Sequence, residues 1–295
     1  MKRSLLSMVL IGIWGAAPGV VSSGEPISPA VDPASVFFDG LEPACPSSWT
    51  SAAGWTCADG SAPTTGNSLV EEPGDPGCPD GMSLVDSFCI DRFEASLALV
   101  DGGGSLSPWS PYANPETQRV RALSVRYATP QAYINQTAAA AACAEAGKRL
   151  CTDAEWLRAC QGPAGWTYPW GDTAMPGVCN DARDLHPLVE YYGTTDPWIW
   201  SHLDQPCLNQ LPSSLNRTGI RDGCQSSEGA MDLMGNLIEW TSDPAGTLRG
   251  GFYVDTLING PGCLYTTTAH TTAHWDFSTG FRCCGEALMG GPGTI

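Results

Sequence analysis

Positive charge is scarce in this chain. Fourteen lysines and arginines stand against 31 acidic residues, a net charge of −17. No basic stripe exists to neutralise phosphates, so nucleic acid and anionic membrane surfaces are disfavoured partners. Cations are the better-matched guests, although acidity of this kind also serves plain solubility. Histidine is scarcer still, at four residues, and His186 and His202 lie far along the chain from His270 and His274. An iron centre built on three clustered histidines, or on histidines and a carboxylate, has little to draw on. The N-terminal apolar run, Leu5 to about Ala17, is short and contains glycine, which argues against a membrane span and against stable membrane insertion. Preceded by Lys2 and Arg3 and followed by small residues around Val21-Ser22-Ser23, it predicts a secretory signal over residues 1–23. No cysteine follows it, which argues against a lipoprotein anchor. No internal repeat is evident.

Cysteine, by contrast, is abundant. Thirteen cysteines in an exported chain imply an oxidising compartment, secreted, periplasmic or extracellular, and a disulfide framework with at least one cysteine left over. Hydrophobic content of 42% is ample for a core.

Residues 24–77 are rich in proline, glycine, serine and threonine without an apolar period, and are expected to form an extended linker. Within it Cys45 and Cys57 flank a loop of the length that a local disulfide closes, with Trp49 and Trp55 available to pack on it. A compact domain over 78–295 is expected to begin with Cys78 and Cys89, a second local pair across a hairpin whose turn is assigned to Asp80-Gly81. Strands are predicted over Ile90–Ala95 and Val120–Tyr127. Two helices follow. The first is placed from a Thr129 cap and Pro130 through the alanine run Ala138–Ala142 to Gly147. The second opens on Thr152-Asp153-Ala154-Glu155, a capping box. Cys143 and Cys160, one on each helix, are candidate staples to distant segments. Beyond Cys160 the chain reads as long loops carrying Cys179, Cys207 and Cys224. Order returns over Gly229–Asp243, in a strand at Leu248–Tyr253 and in a final strand at Gly280–Cys284.

Six segments, in this order, resemble the formylglycine-generating enzyme (sulfatase-modifying factor) family over about residues 78–287. They are Ile90-Asp91-Arg92-Phe93-Glu94, Gly147–Trp156, Tyr168-Pro169-Trp170-Gly171-Asp172, Met231–Asp243, Leu248-Arg249-Gly250-Gly251 and Gly280-Phe281-Arg282-Cys283. The resemblance implies an α+β, C-type-lectin-like fold: a small antiparallel sheet, two helices and much irregular chain. It implies that Cys143 pairs with Cys283 and Cys160 with Cys263. Cys151 stands where the family usually has proline and Cys284 is an added cysteine, which suggests a third bridge between them.

The resemblance also implies calcium. Asp232 and Glu239 would give carboxylate oxygens, and Gly235 and Leu237 backbone carbonyls, the hard donors that Ca²⁺ takes at roughly 2.3–2.6 Å. A second family site would use Asn180 and the carbonyl of Asp181. The plainer alternative makes Asp232 a turn cap and Glu239 a strand residue.

Catalysis is where the chain departs from the family. Formylglycine-generating members hold copper(I) on two cysteines just after the Arg-Gly-Gly strand, and thiolates suit that soft ion. Here Phe252–Gly262 contains no cysteine, and Cys263 is assigned to a structural bridge, so copper is not expected. His270 and His274 have a spacing that suits a metal only on a helix, and Asp255 is either a hard-metal ligand, an acid/base group or a turn aspartate. Three readings stay open. One is a calcium-stabilised, non-catalytic binding module whose loops Gly162–Glu228 and Val254–Ser278 present a groove to a peptide, protein or small ligand. In it Tyr191, Tyr192, Trp198 and Trp200 make contact or fill small cores. The second is a divergent oxidoreductase of the same superfamily, and the third genuine formylglycine generation.

Overall fold

The computed structural model describes residues 67–288, together with the backbone of two short paired strands, β1 (Ser47–Thr50) and β2 (Thr56–Ala58). The expected signal over 1–23, most of the 24–77 linker and the Cys45–Cys57 pairing lie outside the described residues.

Three sheets carry the rest. In the first, β3 (Met82–Val85) and β4 (Phe88–Asp91) form a hairpin, and β13 (Cys283–Glu286) lies antiparallel between β4 and β8 (Arg149–Leu150). The second is antiparallel, with β5 (Ser96–Val100) between β6 (Leu106–Pro108) and β7 (Val120–Leu123). In the third, β9 (Ile238–Trp240) pairs antiparallel with β10 (Leu248–Arg249), which pairs with β11 (Thr266–Thr267), and parallel with β12 (Thr279–Phe281). The helices are α1 (Gln136–Glu145), α2 (Asp153–Gln161) and a short α3 (Pro187–Tyr192). This is the α+β architecture expected, with few helices, small sheets and long loops.

Several boundaries differ from the sequence reading. The β3–β4 turn is at Asp86-Ser87, where Asp86 takes φ +50°, and not at Asp80-Gly81. The fold also takes in residues 67–77, part of the segment expected to form a linker. Asn67 brackets the Thr129 peptide at 2.8 and 2.9 Å, and Glu71 pairs with buried Lys148 at 2.9 Å. The first helix starts at Gln136 and not after Thr129. The backbone donors of Thr129, Gln131, Ala132 and Tyr133 go to Asn67, Ala95, Pro111 and Asp276, so tertiary partners replace the helical ladder. Asn135 is the true cap, accepting from the Ala138 amide at 2.8 Å. The helix ends as expected at Gly147, φ +71°.

The second helix forms as its sequence dictates. Thr152 accepts from the Glu155 amide, and the Glu155 carboxylate returns a bond to the Thr152 amide, so both orphan donors are satisfied. Trp156, Ala159 and Cys160 then face a core shared with Ile90, Leu233, Cys263 and Cys284. The alanine face of α1 lies on Leu97, Ala122, Trp240 and Phe281, where small side chains let helix and sheet approach closely.

Candidate functional site

After β10 the chain turns through Gly250 and Gly251, both at positive φ. A Cβ on Gly250 would lie 2.7 Å from the Leu233 carbonyl and 3.0 Å from the Trp156 ring, so only glycine lets the chain pass the α2 tryptophan. The next residues build a loop. Asp255 accepts from the amides of Leu257 and Ile258 at 2.9 and 3.0 Å, and from the Tyr265 hydroxyl at 3.0 Å. Its carboxylate is therefore spent on the turn. Burial pushes the Tyr265 hydroxyl up to about 12, and the neighbouring Asp255 charge adds to the effect.

Beside this loop lies a cleft of about 140 Å³, bordered by Phe252, Asn259, Tyr265, His270 and Thr279. His270 stacks on His274, ring centroids 3.9 Å apart and planes 12° apart. The sequence spacing thus does bring the two histidines together. Near-parallel stacked rings, however, send their nitrogen lone pairs into separate parallel planes, which do not converge on one ion in this pose. His274 Nε2 contacts Asp276 Oδ2 at 2.9 Å. Burial and then His274 lower the His270 pKa, so His270 is neutral at pH 7.

Beneath the Asp232–Glu239 loop sits a buried cluster that sequence reasoning had only half identified. Glu239 receives Arg282 through Nε at 2.7 and 3.0 Å and through Nη2 at 2.7 Å, and Trp156 Nε1 at 2.7 Å. Three N–H groups thus meet this carboxylate, with the single Nε–H shared between its two oxygens. Glu94 accepts from the Leu237 amide at 3.0 Å and from the Asn236 side chain. Asp232, at φ +60°, accepts from the Gly219 amide at 2.7 Å. Three buried carboxylates thus share one guanidinium. Burial, reinforced by Asp232 and Glu239, drives the Glu94 carboxyl well above its ordinary range, and burial raises Asp232 to about 6. A signal was present in the sequence: Arg282, alone between Phe281 and Cys283 in an apolar strand, needs a buried partner.

For calcium the donor set fits only in part. The Glu239 carboxylate is engaged by Arg282 and Trp156, and among the described residues no three His, Cys, Asp or Glu side chains converge as a metal site. Asp232 and the carbonyls of Gly235 and Leu237 are left as donors, beside an excess of buried negative charge. The second predicted pair adjoins the first. The Asn180 carbonyl accepts from the Asn236 amide at 2.8 Å, and the Asn180 side chain donates to Asn236 Oδ1 at 2.9 Å. Asp181 accepts from the Gly177 amide at 2.9 Å.

Five disulfides join Cys78 to Cys89, Cys143 to Cys283, Cys151 to Cys284, Cys160 to Cys263 and Cys179 to Cys224. Cys207 is disulfide-bonded as well, so every cysteine among the described residues is oxidised.

Residues 59–286 match the sulfatase-modifying factor enzyme 1-like domain, FGE-sulfatase. The chain belongs to this family. A curated FGE-sulfatase relative is the mouse inactive C-alpha-formylglycine-generating enzyme 2, 29% identical over 54% of this chain and 49% of its own. The chain therefore spans about half the length of that relative. The formylglycine-generating enzyme of Streptomyces coelicolor is 26% identical over 70% of this chain and 69% of its own. A solved structure, the P3c variant of the major tropism determinant, is 14% identical over 72% of this chain and 54% of its own, TM-score 0.42.

Proposed function

We propose that this chain is an exported, disulfide-stapled binding domain built on the FGE-sulfatase scaffold, without copper-dependent cysteine oxidation. One observation carries the reading: the Cys160–Cys263 bond removes the first thiol along the chain after the Arg249-Gly250-Gly251 turn. Copper(I) needs thiolates, and the loop that would hold them is built around Asp255, whose oxygens are occupied by its own turn and by Tyr265. The name of the mouse relative, an inactive enzyme, points the same way. The cleft beside Tyr265 and His270 is the proposed ligand groove. The density of disulfides, which persist in oxidising compartments, supports export. No helix among the described residues is long and apolar enough to cross a membrane.

Calcium support belongs to this reading in reduced form, through Asp232 with the carbonyls of Gly235 and Leu237, while Glu239 stays with Arg282. The alternative, a divergent metal-dependent oxidoreductase, is favoured by a single feature, the His270–His274–Asp276 group at the cleft edge. Elemental analysis and copper(I) competition against a chromophoric chelator, on full-length protein purified without reductant, separate the two. The binding domain holds no copper or iron at stoichiometry. Tight copper(I) held by thiols contradicts the proposal, and stoichiometric iron supports the oxidoreductase.

A further inference from the structure

The loop Asp184–Asp204 carries an aromatic shelf that neither the cleft nor the buried cluster uses. Within it the 3₁₀ turn Pro197–Ser201 is pinned by fully buried Ile199, while the flanking Trp198 and Trp200 remain 48% and 49% exposed. Both indoles are held edge-on. Trp198 meets Tyr192 at 4.9 Å and His202 at 5.4 Å, and Trp200 meets His186 at 4.8 Å. The shelf is therefore preorganised, with about half of each indole open to solvent. It also continues towards the cleft, because the same His186 ring lies 6.3 Å from Phe252.

The charges around it have one sign. Residues 184–216 contain no lysine or arginine. Asp184, Asp196 and Asp204 are exposed, and none makes a side-chain ion pair among the described residues. The neighbouring cation, Arg183, is buried against Glu190. His186, lowered to about 4 by burial and then by Arg183, adds no positive charge at pH 7. Exposed indole faces attract cations through the ring quadrupole, and unpaired carboxylates at the rim add ordinary attraction. Residues 184–204 contain no Asn, Gln, Lys or Arg, so a neutral sugar would find only hydroxyl, imidazole, indole and backbone donors there, whereas a cation meets carboxylates directly. On the loop bordering the cleft, Leu257 and Ile258 are 64% and 78% exposed, an apolar tip that suits a polypeptide better than a small free cation.

We propose that the Trp198/Trp200 shelf docks an arginine- or lysine-bearing segment of a partner protein. This rests on the binding-domain reading and names its partner. The test uses full-length protein with its disulfides intact and fluorescence anisotropy of a labelled Arg-Gly repeat peptide. The same peptide with citrulline at every arginine and a neutral cello-oligosaccharide serve as competitors. Binding is expected to weaken as salt rises. It should fall about tenfold or more with citrulline, and by a similar factor in Trp198→Ala/Trp200→Ala. That variant keeps the net charge at −17, so its loss separates the shelf from general acidity. Asp196→Asn/Asp204→Asn is a second variant, safe for the fold because Asp196 makes no capping bond, and its binding should lose most of its salt dependence. Undiminished binding by the tryptophan variant, equal binding of the citrulline peptide, competition by the oligosaccharide, or no peptide binding overturns the proposal. Copper content is independent of all four results, so failure here is distinguishable from failure of the binding-domain reading.

Discussion

Cys160 on α2 is bonded to Cys263, 103 residues later, immediately after the loop that Asp255 organises. Two further bonds, Cys143–Cys283 and Cys151–Cys284, run between the region of the helix pair and β13. The FGE-sulfatase frame is thus clamped on both sides of the Arg249-Gly250-Gly251 turn, while the first thiol along the chain after that turn is consumed by the clamp.

The added bridge, Cys151–Cys284, spans 133 residues, but Cys143–Cys283 already closes nearly the same circuit. With that neighbour intact, the loop opened by Cys151→Ser/Cys284→Ser is only about ten residues, worth about 2–3 kcal/mol, against about 5 kcal/mol for the full loop. Urea unfolding of the double serine variant should show the smaller loss. Removing both bridges should cost more than the sum of the separate losses.

Glu239→Gln removes the carboxylate hydrogen-bonded to Arg282, leaving the buried guanidinium only the Glu94 and Asp232 charges it does not hydrogen-bond, and is expected to cost about 3–5 kcal/mol. Chemical denaturation of the variant, with far-ultraviolet circular dichroism to confirm folding, checks this. A loss below about 1 kcal/mol would mean that water or Glu94 takes over the partnership.

Asp232 sets a pH dependence. Its carboxyl is raised to about 6 in the fold from the ordinary 3.8. The folded state therefore holds the proton more tightly, and the stabilisation is full below about pH 4 and lost as pH rises through 6. Glu94 acts in the same direction. In EDTA, Tm should fall between pH 5 and 7.5, and Asp232→Asn should flatten the curve and stabilise at the upper end by about 1–3 kcal/mol. Asparagine accepts the φ of +60° at that position without strain. Added calcium should then raise the Tm of the parent protein and not of the variant. No response in the parent removes calcium from the account.

Legibility followed locality. The α2 capping box, the α1 end at Gly147 and the glycine pair after Arg249 are written in adjacent residues and could be read there. The start of α1 was not, because Thr129-Pro130 is a good local start signal that bonds to Asn67, Ala95, Pro111 and Asp276 override. Asp80-Gly81 attracted the hairpin turn for the same local reason, while the chain turns at Asp86. Family motifs named Asp232 and Glu239, yet Glu94 and Arg282, 145 and 43 residues from Glu239 along the chain, complete the buried cluster around that pair. The cleft joins β9, β10 and the His270 loop, a proximity that no window of sequence contains.

The central claim, that Cys263, the first thiol after the Arg-Gly-Gly turn, is locked in the scaffold, is tested most directly by alkylating the unreduced, denatured protein and mapping its peptides. The account predicts no alkylated cysteine between residues 67 and 288 and a Cys160–Cys263 linked peptide. Alkylated Cys263 together with a second free thiol in that range would contradict it.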